Sequence, residues 1–274
     1  LWFLAQMAAE QVTVVLSGEG ADEIFGGYAW YEDNPSVAKY KHMVPFGVRR
    51  ALGKAAKHMP YFKGHNFLMK GAEMAEEYFV GQALVWPERE VSSVLRPEYD
   101  KGEGAFELAA PIYARVSDKS ELIRKQYLDM NMWLPGDILL KADKMCMAHS
   151  LELRVPFLDR RVMEFAEHIP DRYRVNENGN KLVLRHAANK SLPDEWATRP
   201  KVGFPVPMIY WLREEKWYNW VKEYFTAPWA SEFFDCDVLM GLLDEHYEGK
   251  AQNQRKIYTP LVFLIWYKRY FIDE

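Results

Sequence analysis

A short apolar run followed by a loop rich in glycine and acidic residues is the feature that most constrains how this chain folds. The run is VTVVL at residues 12–16, and the loop is SGEGADEIFGGY at residues 17–28. Branched apolar residues bounded by glycine are typical of a buried strand. In an open α/β sheet, ligands bind beyond the carboxyl ends of such strands, where glycines let the backbone approach them. We therefore predict a strand that ends at a ligand site.

The loop also contains three carboxylates, Glu19, Asp22 and Glu23, which are a poor fit to an anion alone. A divalent metal that bridges a carboxylate and a phosphate would satisfy both charges. The alternative is an ordinary strand-to-helix turn with solvated acidic side chains. Residue spacing alone favours neither interpretation.

Three stretches of the chain resemble the motifs of the asparagine synthetase domain family, which also contains β-lactam synthetases. They are SGEGADEIFGGY at residues 17–28, LKADKMCMAHSLELRVPFLD at residues 140–159 and RPKVGFPVP at residues 199–207. The resemblance covers nearly the whole chain, with a looser fit over residues 29–110. Three long motifs in the family's order are far more specific than one glycine-rich loop.

The resemblance implies an α/β fold of the adenine-nucleotide-hydrolase-like, PP-loop ATPase type. Residues 1–274 would be the carboxy-terminal portion of one asparagine synthetase domain. Residues 1–30 would hold the strand and the nucleotide and magnesium loop, and residues 31–274 would be mainly helical, so one or two short strands are expected. The sequence begins within a helical pattern that no capping residue precedes, so we expect it to be a fragment of a longer protein. The family's first ATP loop, Ser-Gly-Gly-x-Asp-Ser, and its amino-terminal glutaminase domain would be missing from it.

The activity that the resemblance implies is that of an ATP-dependent amide-forming ligase. Aspartate would become asparagine through an aspartyl-adenylate that is attacked by glutamine-derived ammonia, with ATP and Mg²⁺ as cofactors. The fragment alone is expected to be inactive. One alternative is a parent enzyme that acts on another carboxylate, like a β-lactam synthetase or a peptide-amidating enzyme. The other is a non-catalytic helical interaction module.

Two residues are the catalytic candidates that the resemblance implies. Glu19 would line the amino-acid pocket and face the incoming amine, and its carboxylate could hold an ammonium or help to remove a proton. Lys201 would meet the phosphates and the negative charge that develops during adenylation. A lone lysine is normally a solvated surface residue, and the surrounding RPKVGFPVP motif favours the functional role.

Four residues of the loop are the candidates for binding nucleotide and metal. Ser17, Gly18 and Gly20 would contact the nucleotide through backbone and hydroxyl groups, and Asp22 would help to hold magnesium on the phosphates. Without the motif, Ser17 would be interpreted as a turn residue at the end of a strand.

Composition excludes several other classes of protein. The formal net charge of -4 argues against a general nucleic-acid binder. The apolar run at residues 261–267 is too short to span a bilayer, so no membrane partner is predicted. Cys146 and Cys236 lie far apart with no zinc or disulfide spacing, which indicates a reducing compartment, and we expect a cytoplasmic protein. A homodimer is one assembly that these features allow.

Capping residues give local predictions. Ser120 is predicted to begin a helix that continues to about residue 134, and Asp159 to cap a helix over residues 160–168. Asn66 is predicted to cap a helix that continues to about residue 85. Glu152 and Arg154 are predicted to form a structural ion pair.

Overall fold

The computed structural model describes residues 1–32, 34–59, 63–82, 84–199, 203 and 206–273, with residue 89 described by its backbone alone. In this part of the chain the α-helices are α1 Trp2–Ala9, α2 Ala21–Phe25, α3 Pro35–Met43, α4 Phe46–Lys57, α5 His65–Ala72, α6 Ala75–Tyr78, α7 Glu88–Val94, α8 Ala105–Ala114, α9 Glu121–Asn131, α10 Leu140–Met147, α11 Arg160–Glu167, α12 Leu182–Ala188, α13 Asp194–Ala197, α14 Met208–Trp211, α15 Glu215–Phe225, α16 Cys236–Tyr247 and α17 Gln254–Tyr267. The strands are β1 Val14–Leu16 and β2 Glu152–Arg154. The prediction of a mainly helical chain with one or two short strands is confirmed.

The two strands pair in parallel, with Val14 opposite Glu152 and Leu16 opposite Arg154. Their carboxyl ends therefore lie at the same edge of the sheet. One face of the pair packs with Ala5 of α1 and Cys146 of α10. On the other face Leu16 is 74% exposed, so the prediction of a buried strand holds for one face only. The physical reason is that only one side of this sheet has neighbours among the described residues.

The described residues fold as two compact units. The first contains residues from 1–81 and 108–201, and the second contains residues from 82–107 and 202–274. In the first unit, α2 packs through Ile24 and Phe25 against Ala166 of α11 and against Ile169. The residue boundaries predicted within the chain, 1–30 and 31–274, remain a prediction.

The second unit has its own apolar core, built mainly by α7, α15, α16 and α17. Val221, Phe225, Leu243 and Leu264 are fully buried in it. The end of α7 is joined to the turn before α16, where Asp235 N donates to Val94 O at 2.8 Å.

Two of the three predicted caps are confirmed. Ser120 Oγ accepts from Ile123 N at 3.3 Å at the start of α9, and Asp159 Oδ1 accepts from Arg161 N at 2.9 Å at the start of α11. The prediction for Asn66 is wrong. Gly64, with φ of 106°, is the N-cap residue two positions earlier, so Asn66 lies inside α5. That helix ends at Ala72 because the backbone of the next residues is extended.

Candidate functional site

The loop that follows β1 lies at the shared carboxyl edge of the two strands. Ser17 N donates to Arg154 O at 2.8 Å, which extends the ladder by one residue, and Ser17 Oγ accepts from Glu19 N at 3.4 Å. Gly18 is exposed, and none of the described atoms lies within 4 Å of the point where a side chain would begin. The backbone near Gly18 is therefore accessible from solvent. It lies at the carboxyl edge of the strands, which is where α/β sheets bind their ligands.

Gly20 is required by the geometry of the turn into α2. Its φ of 85° is in the left-handed region, and a Cβ atom there would overlap the side chain of Leu158. Leu158 follows β2, so the end of the second strand packs directly under the loop of the first. Only glycine permits this close approach without strain.

Asp22 forms an ion pair that the sequence analysis did not predict. Lys181 Nζ lies 2.8 Å from Asp22 Oδ1, and the two side chains are 20% and 24% exposed respectively. Lys181 itself has φ of 50°, a left-handed conformation that is uncommon for a residue with a side chain. A Cβ atom on Gly27 would overlap both Asp22 and Lys181, so Gly27 leaves the space that this pair occupies.

The residue type of Lys181 at the start of a helix is a signal in the sequence for a role outside that helix. Lys181 is the N-cap residue of α12. A cation at a helix N-terminus opposes the helix dipole, so another role is indicated for a lysine in that position.

The carboxylate of Asp22 has the right chemistry for magnesium, but only as one ligand among others. Mg²⁺ prefers oxygen ligands and is usually held by one or two carboxylates together with waters and substrate phosphates. Within the part of the chain that the structure describes, no group of three acidic, histidine or cysteine side chains could hold a metal ion by itself. Asp22 therefore fits an ion whose remaining ligands come from a bound phosphate and from water.

Glu23 lies beneath the loop and has a different partner from its neighbour Asp22. It is 1% exposed, and Tyr28 OH donates to Glu23 Oε1 at 2.6 Å. Burial raises the pKa of Glu23, and burial together with the nearby Glu23 raises the pKa of Tyr28. The pair thus joins the two ends of the segment that carries Gly26 and Gly27, and the Glu23 carboxylate is closed off from solvent.

Buried donors hold the carbonyl end of α2. Gln126 Nε2 donates to the carbonyl oxygens of Glu23 and Ile24, the latter at 3.1 Å. The Arg174 guanidinium donates to Ile24 O, to Ala166 O and, at 3.1 Å, to Ile169 O. The last carbonyls of a helix have no partner within the helix, and these two side chains satisfy them. A helix of only five residues is thereby held in one position.

A second buried polar group lies where the loop leaves the site. Tyr31 OH donates to Asp129 Oδ2 at 2.6 Å, and Trp30 Nε1 donates to the same oxygen at 3.2 Å. Lys125 Nζ donates to Trp30 O at 3.3 Å. Asp129 is fully buried, and burial raises its pKa to about 6. The sequence carries no signal for this network, because its members lie about 100 residues apart.

The predicted site residues are brought together only in part. Ser17, Gly18, Glu19, Gly20 and Asp22 share one loop, and Glu19 is half-buried within it. Lys201 lies outside the described residues. Arg199, the first residue of the third motif, is held by Arg185, whose Nη1 donates to Arg199 O at 2.8 Å.

The second motif places charged residues on β2 and on the helix that precedes it. Glu152 Oε1 accepts from Arg154 Nε at 2.9 Å, which confirms the predicted ion pair, and both side chains are exposed. On the preceding helix α10, Asp143 and Lys144 are also exposed. This motif therefore contributes a strand to the site and an open charged helix face beside it.

Comparison with known proteins gives one consistent result. The family model described as asparagine synthase matches residues 1–268. The chain is 38% identical over 280 residues to "Asparagine synthetase [glutamine-hydrolyzing] 1" of Bacillus subtilis (strain 168), an alignment that covers 100% of this chain and 44% of that protein. It is 37% identical over 271 residues to "Putative asparagine synthetase [glutamine-hydrolyzing]" of Mycobacterium tuberculosis (strain ATCC 25618 / H37Rv), which covers 97% of this chain and 41% of that protein.

A more distant relative covers a smaller part of the chain. The human "Asparagine synthetase [glutamine-hydrolyzing]" is 34% identical over 189 residues, which covers 58% of this chain and 31% of that protein. The chain thus spans less than half the length of each of these three relatives. Among the helices that the structure describes, none has the length and apolar character needed to cross a membrane.

Proposed function

This chain belongs to the asparagine synthase family, and we propose that it is part of an ATP-dependent ligase that converts aspartate to asparagine. The reaction would proceed through an aspartyl-adenylate that glutamine-derived ammonia attacks. The observation that carries the proposal is the loop of residues 17–28 at the carboxyl edge of two parallel strands, with the Asp22–Lys181 pair beside it. This arrangement offers open backbone, a carboxylate and an ammonium group at one edge, as a nucleotide triphosphate with a metal ion requires.

We assign the charged groups of this edge by their chemistry. Asp22 would be a ligand of Mg²⁺, and the bound ion would neutralise charge on the phosphates. Lys181, which neutralises Asp22 at 2.8 Å, would then be available to a phosphate oxygen of ATP. Ser17, Gly18 and Gly20 would present the backbone and hydroxyl groups that contact the nucleotide.

The catalytic roles remain with Glu19 and Lys201. Glu19 would position the incoming amine near the acyl carbon and accept a proton from it. Lys201 would stabilise the negative charge that grows on the phosphates as pyrophosphate leaves. Both proposals rest on the motif positions of these residues in the family.

We further propose that this chain completes a PP-loop ATPase type of fold only within a longer parent. Parallel sheets are normally covered on both faces, whereas Val14 and Leu16 of β1 are 39% and 74% exposed. The parent would supply more of the sheet, the first ATP loop and the glutaminase domain. The chain alone is then expected to form no asparagine. A cytoplasmic location and a homodimer remain predictions.

Aspartate-dependent exchange of pyrophosphate into ATP, measured on the full-length parent, tests this function. We expect exchange with aspartate, and loss of exchange at limiting magnesium in Asp22→Asn, because an amide is a weaker ligand for a hard cation. The control is Asp118→Asn, which changes an exposed aspartate outside the site. Melting temperatures of both variants should equal that of the unmodified protein within a few degrees.

Other outcomes distinguish the alternatives. Exchange that depends on a β-amino acid or a peptide carboxylate, and not on aspartate, would assign the parent to another substrate of the same family. Absence of exchange with every carboxylate tested would favour the helical interaction module. Full exchange in Asp22→Asn at limiting magnesium would reject the metal role of this residue.

A further inference from the structure

Arg185 of α12 is hydrogen-bonded to two segments that the proposed site uses. Its Nε donates to Asn180 O at 2.9 Å, and its Nη2 donates to Asn180 Oδ1 at 3.4 Å. Its Nη1 donates to Arg199 O at 2.8 Å and to Ala197 O at 3.3 Å. Asn180 directly precedes Lys181, and Arg199 is the first residue of the third motif. We call these four hydrogen bonds the Arg185 clamp.

The clamp uses every nitrogen of the Arg185 guanidinium. An arginine side chain carries its donors in a rigid plane, so bonds from all three nitrogens fix the orientation of the group and the spacing of its acceptors. A lysine ammonium is a compact point charge on a flexible stem, and it does not reproduce this geometry. The side chain is half-buried, and its bonds go to oxygens of the protein.

On one side of the clamp lies a residue whose backbone conformation needs support. Lys181 has φ of 50°, and such left-handed conformations persist only where the surrounding structure enforces them. Its Nζ lies 2.8 Å from Asp22 Oδ1. Asn180 is also held from a second direction, because its Nδ2 donates to Glu32 Oε1 at 2.9 Å. The position of the Lys181 ammonium beside Asp22 therefore depends on how Asn180 is held.

On the other side the clamp holds the end of α13 and the start of the third motif. Helix α13 ends at Ala197, and the last carbonyls of a helix have no partner within it. Arg185 donates to Ala197 O and to Arg199 O, while Thr198 Oγ1 donates to Asp194 O at 2.6 Å. The backbone that leads into the third motif is thereby attached to α12.

The geometry points to Arg185 as a positioning residue for adenylation, which sets the spacing between the Lys181 segment and the start of the third motif. This inference rests on the proposed function, in which Lys181 and Lys201 both act on the phosphates of ATP. Two cations that act on one reacting group need a defined separation, since small misplacements cost much of the rate. Arg185 acts through the two segments that it joins.

Arg185→Lys in the full-length parent tests the role in the reaction. Single-turnover formation of AMP at saturating ATP should be slower by roughly tenfold to 100-fold, because the charge is kept and the planar fork is lost. The ATP concentration that gives half the maximal rate should change by less than about threefold, since the lost interactions act on the transition state.

The control variant is Arg172→Lys, which makes the same change at an exposed arginine of the same unit. Its guanidinium lies over the ring of Tyr173, 5 residues or fewer from α12 in neither direction of the clamp's bonds. It should form AMP at the rate of the unmodified protein. Both variants should have melting temperatures close to that of the unmodified protein.

A double-mutant cycle separates positioning from a general loss of stability. Because Arg185 acts through Lys181, the change Arg185→Lys should slow a Lys181→Ala protein by a factor at least about threefold smaller than the factor for the unmodified protein. A purely structural role for Arg185 would give two independent factors that multiply.

Hydrogen exchange tests the clamp without any measurement of activity, on both the 274-residue chain and the full-length parent. Peptides that cover residues 176–184 and 196–207 should exchange faster in Arg185→Lys, because both segments lose an anchor. Peptides from α16 should exchange as in the unmodified protein, and Arg172→Lys should leave all of these peptides unchanged.

The outcomes keep this inference apart from the proposed function. Unchanged exchange of both segments in folded Arg185→Lys would overturn the clamp, whether or not the parent forms asparagine. A full rate of AMP formation in Arg185→Lys, or independent factors in the cycle, would overturn the positioning role while the proposed function stands. A parent without adenylation activity would reject both the proposed function and the role of Arg185 in it.

Discussion

The interiors of the two compact units are built from different chemistry. Beneath the loop of residues 17–28, the first unit buries Glu23, Gln126, Asp129 and Arg174, each no more than 5% exposed. The core of the second unit consists of buried apolar residues, to which partly buried aromatic rings add, such as Phe233 and Tyr267 with centroids 4.7 Å apart. Buried charges are costly unless they are hydrogen-bonded, so a region that keeps them is built to hold a backbone in one arrangement. A region without them is built for stability.

The second unit contains one buried histidine, His246, and its ring is uncharged. Asn253 N donates to His246 Nδ1 at 3.1 Å, which leaves the proton on Nε2, and Nε2 donates to Ile209 O at 3.1 Å. Burial lowers the pKa of His246, so the ring is neutral. Even the buried polar group of this core therefore carries no charge near neutral pH.

The largest expected effect on stability lies in the second unit. Leu243→Ala should lower the free energy of unfolding by about 2 to 5 kcal/mol, because it leaves a cavity at a fully buried position. Urea unfolding of the parent measures this, with Leu192→Ala at an exposed position as the control. Pyrophosphate exchange well below the melting temperature should be unchanged. A loss of exchange in folded Leu243→Ala would contradict the division between a stabilising and a functional interior.

The second largest effect on stability is expected from the charge of Asp129 in the first unit. Its pKa is about 6 in the folded protein against an ordinary 3.8, so the folded state binds the proton more tightly than the unfolded state. Stability should therefore fall as the pH rises through this interval and stay lower above it. In Asp129→Asn this fall is absent, and the variant should gain about 3 kcal/mol relative to the unmodified protein between about pH 4 and pH 7.

Urea unfolding at several pH values checks the prediction for Asp129. The pH dependence of the difference is the decisive quantity, because the new amide also changes the hydrogen bonds with Tyr31 and Trp30 at every pH. Asp118→Asn, on the surface, should show no comparable change. A difference that is constant over this pH range would mean that Asp129 does not carry the proton.

The smallest effect on stability is expected for Lys181. Its replacement should act mainly on the rate of adenylation. In the intact parent, Lys181→Ala should slow adenylation by about tenfold to 100-fold, because it removes a cation beside the phosphates. It should change stability by less than about 1 kcal/mol, since the Asp22–Lys181 pair is partly solvated. Single-turnover formation of AMP measures the rate, and Lys190→Ala is the control. An unchanged rate would make the pair structural.

The parts of the site that the sequence predicts are those encoded within one short stretch. Strand β1, the loop with Ser17, Gly18 and Asp22, and the cap at Asp159 all depend on neighbours a few residues away. Lys181, Gln126 and Arg174 reach the loop from positions 100 or more residues along the chain, and periodicity carries no such information. The exposed side of β1 was mispredicted for a related reason, since burial depends on what packs against a strand.

The pairing of β1 with β2 has a consequence for the order of folding during synthesis. Val14 is paired with Glu152, 138 residues later in the chain. At synthesis rates of about 5 to 20 residues per second, β1 waits roughly 7 to 28 s for its partner to be made. Closing so long a loop also makes this contact a slow one, so the nucleotide edge is among the last parts of the first unit to form. During that interval the edge of β1 that will pair with β2 stays open, so this segment is exposed to wrong pairing for longer than the locally folded helices.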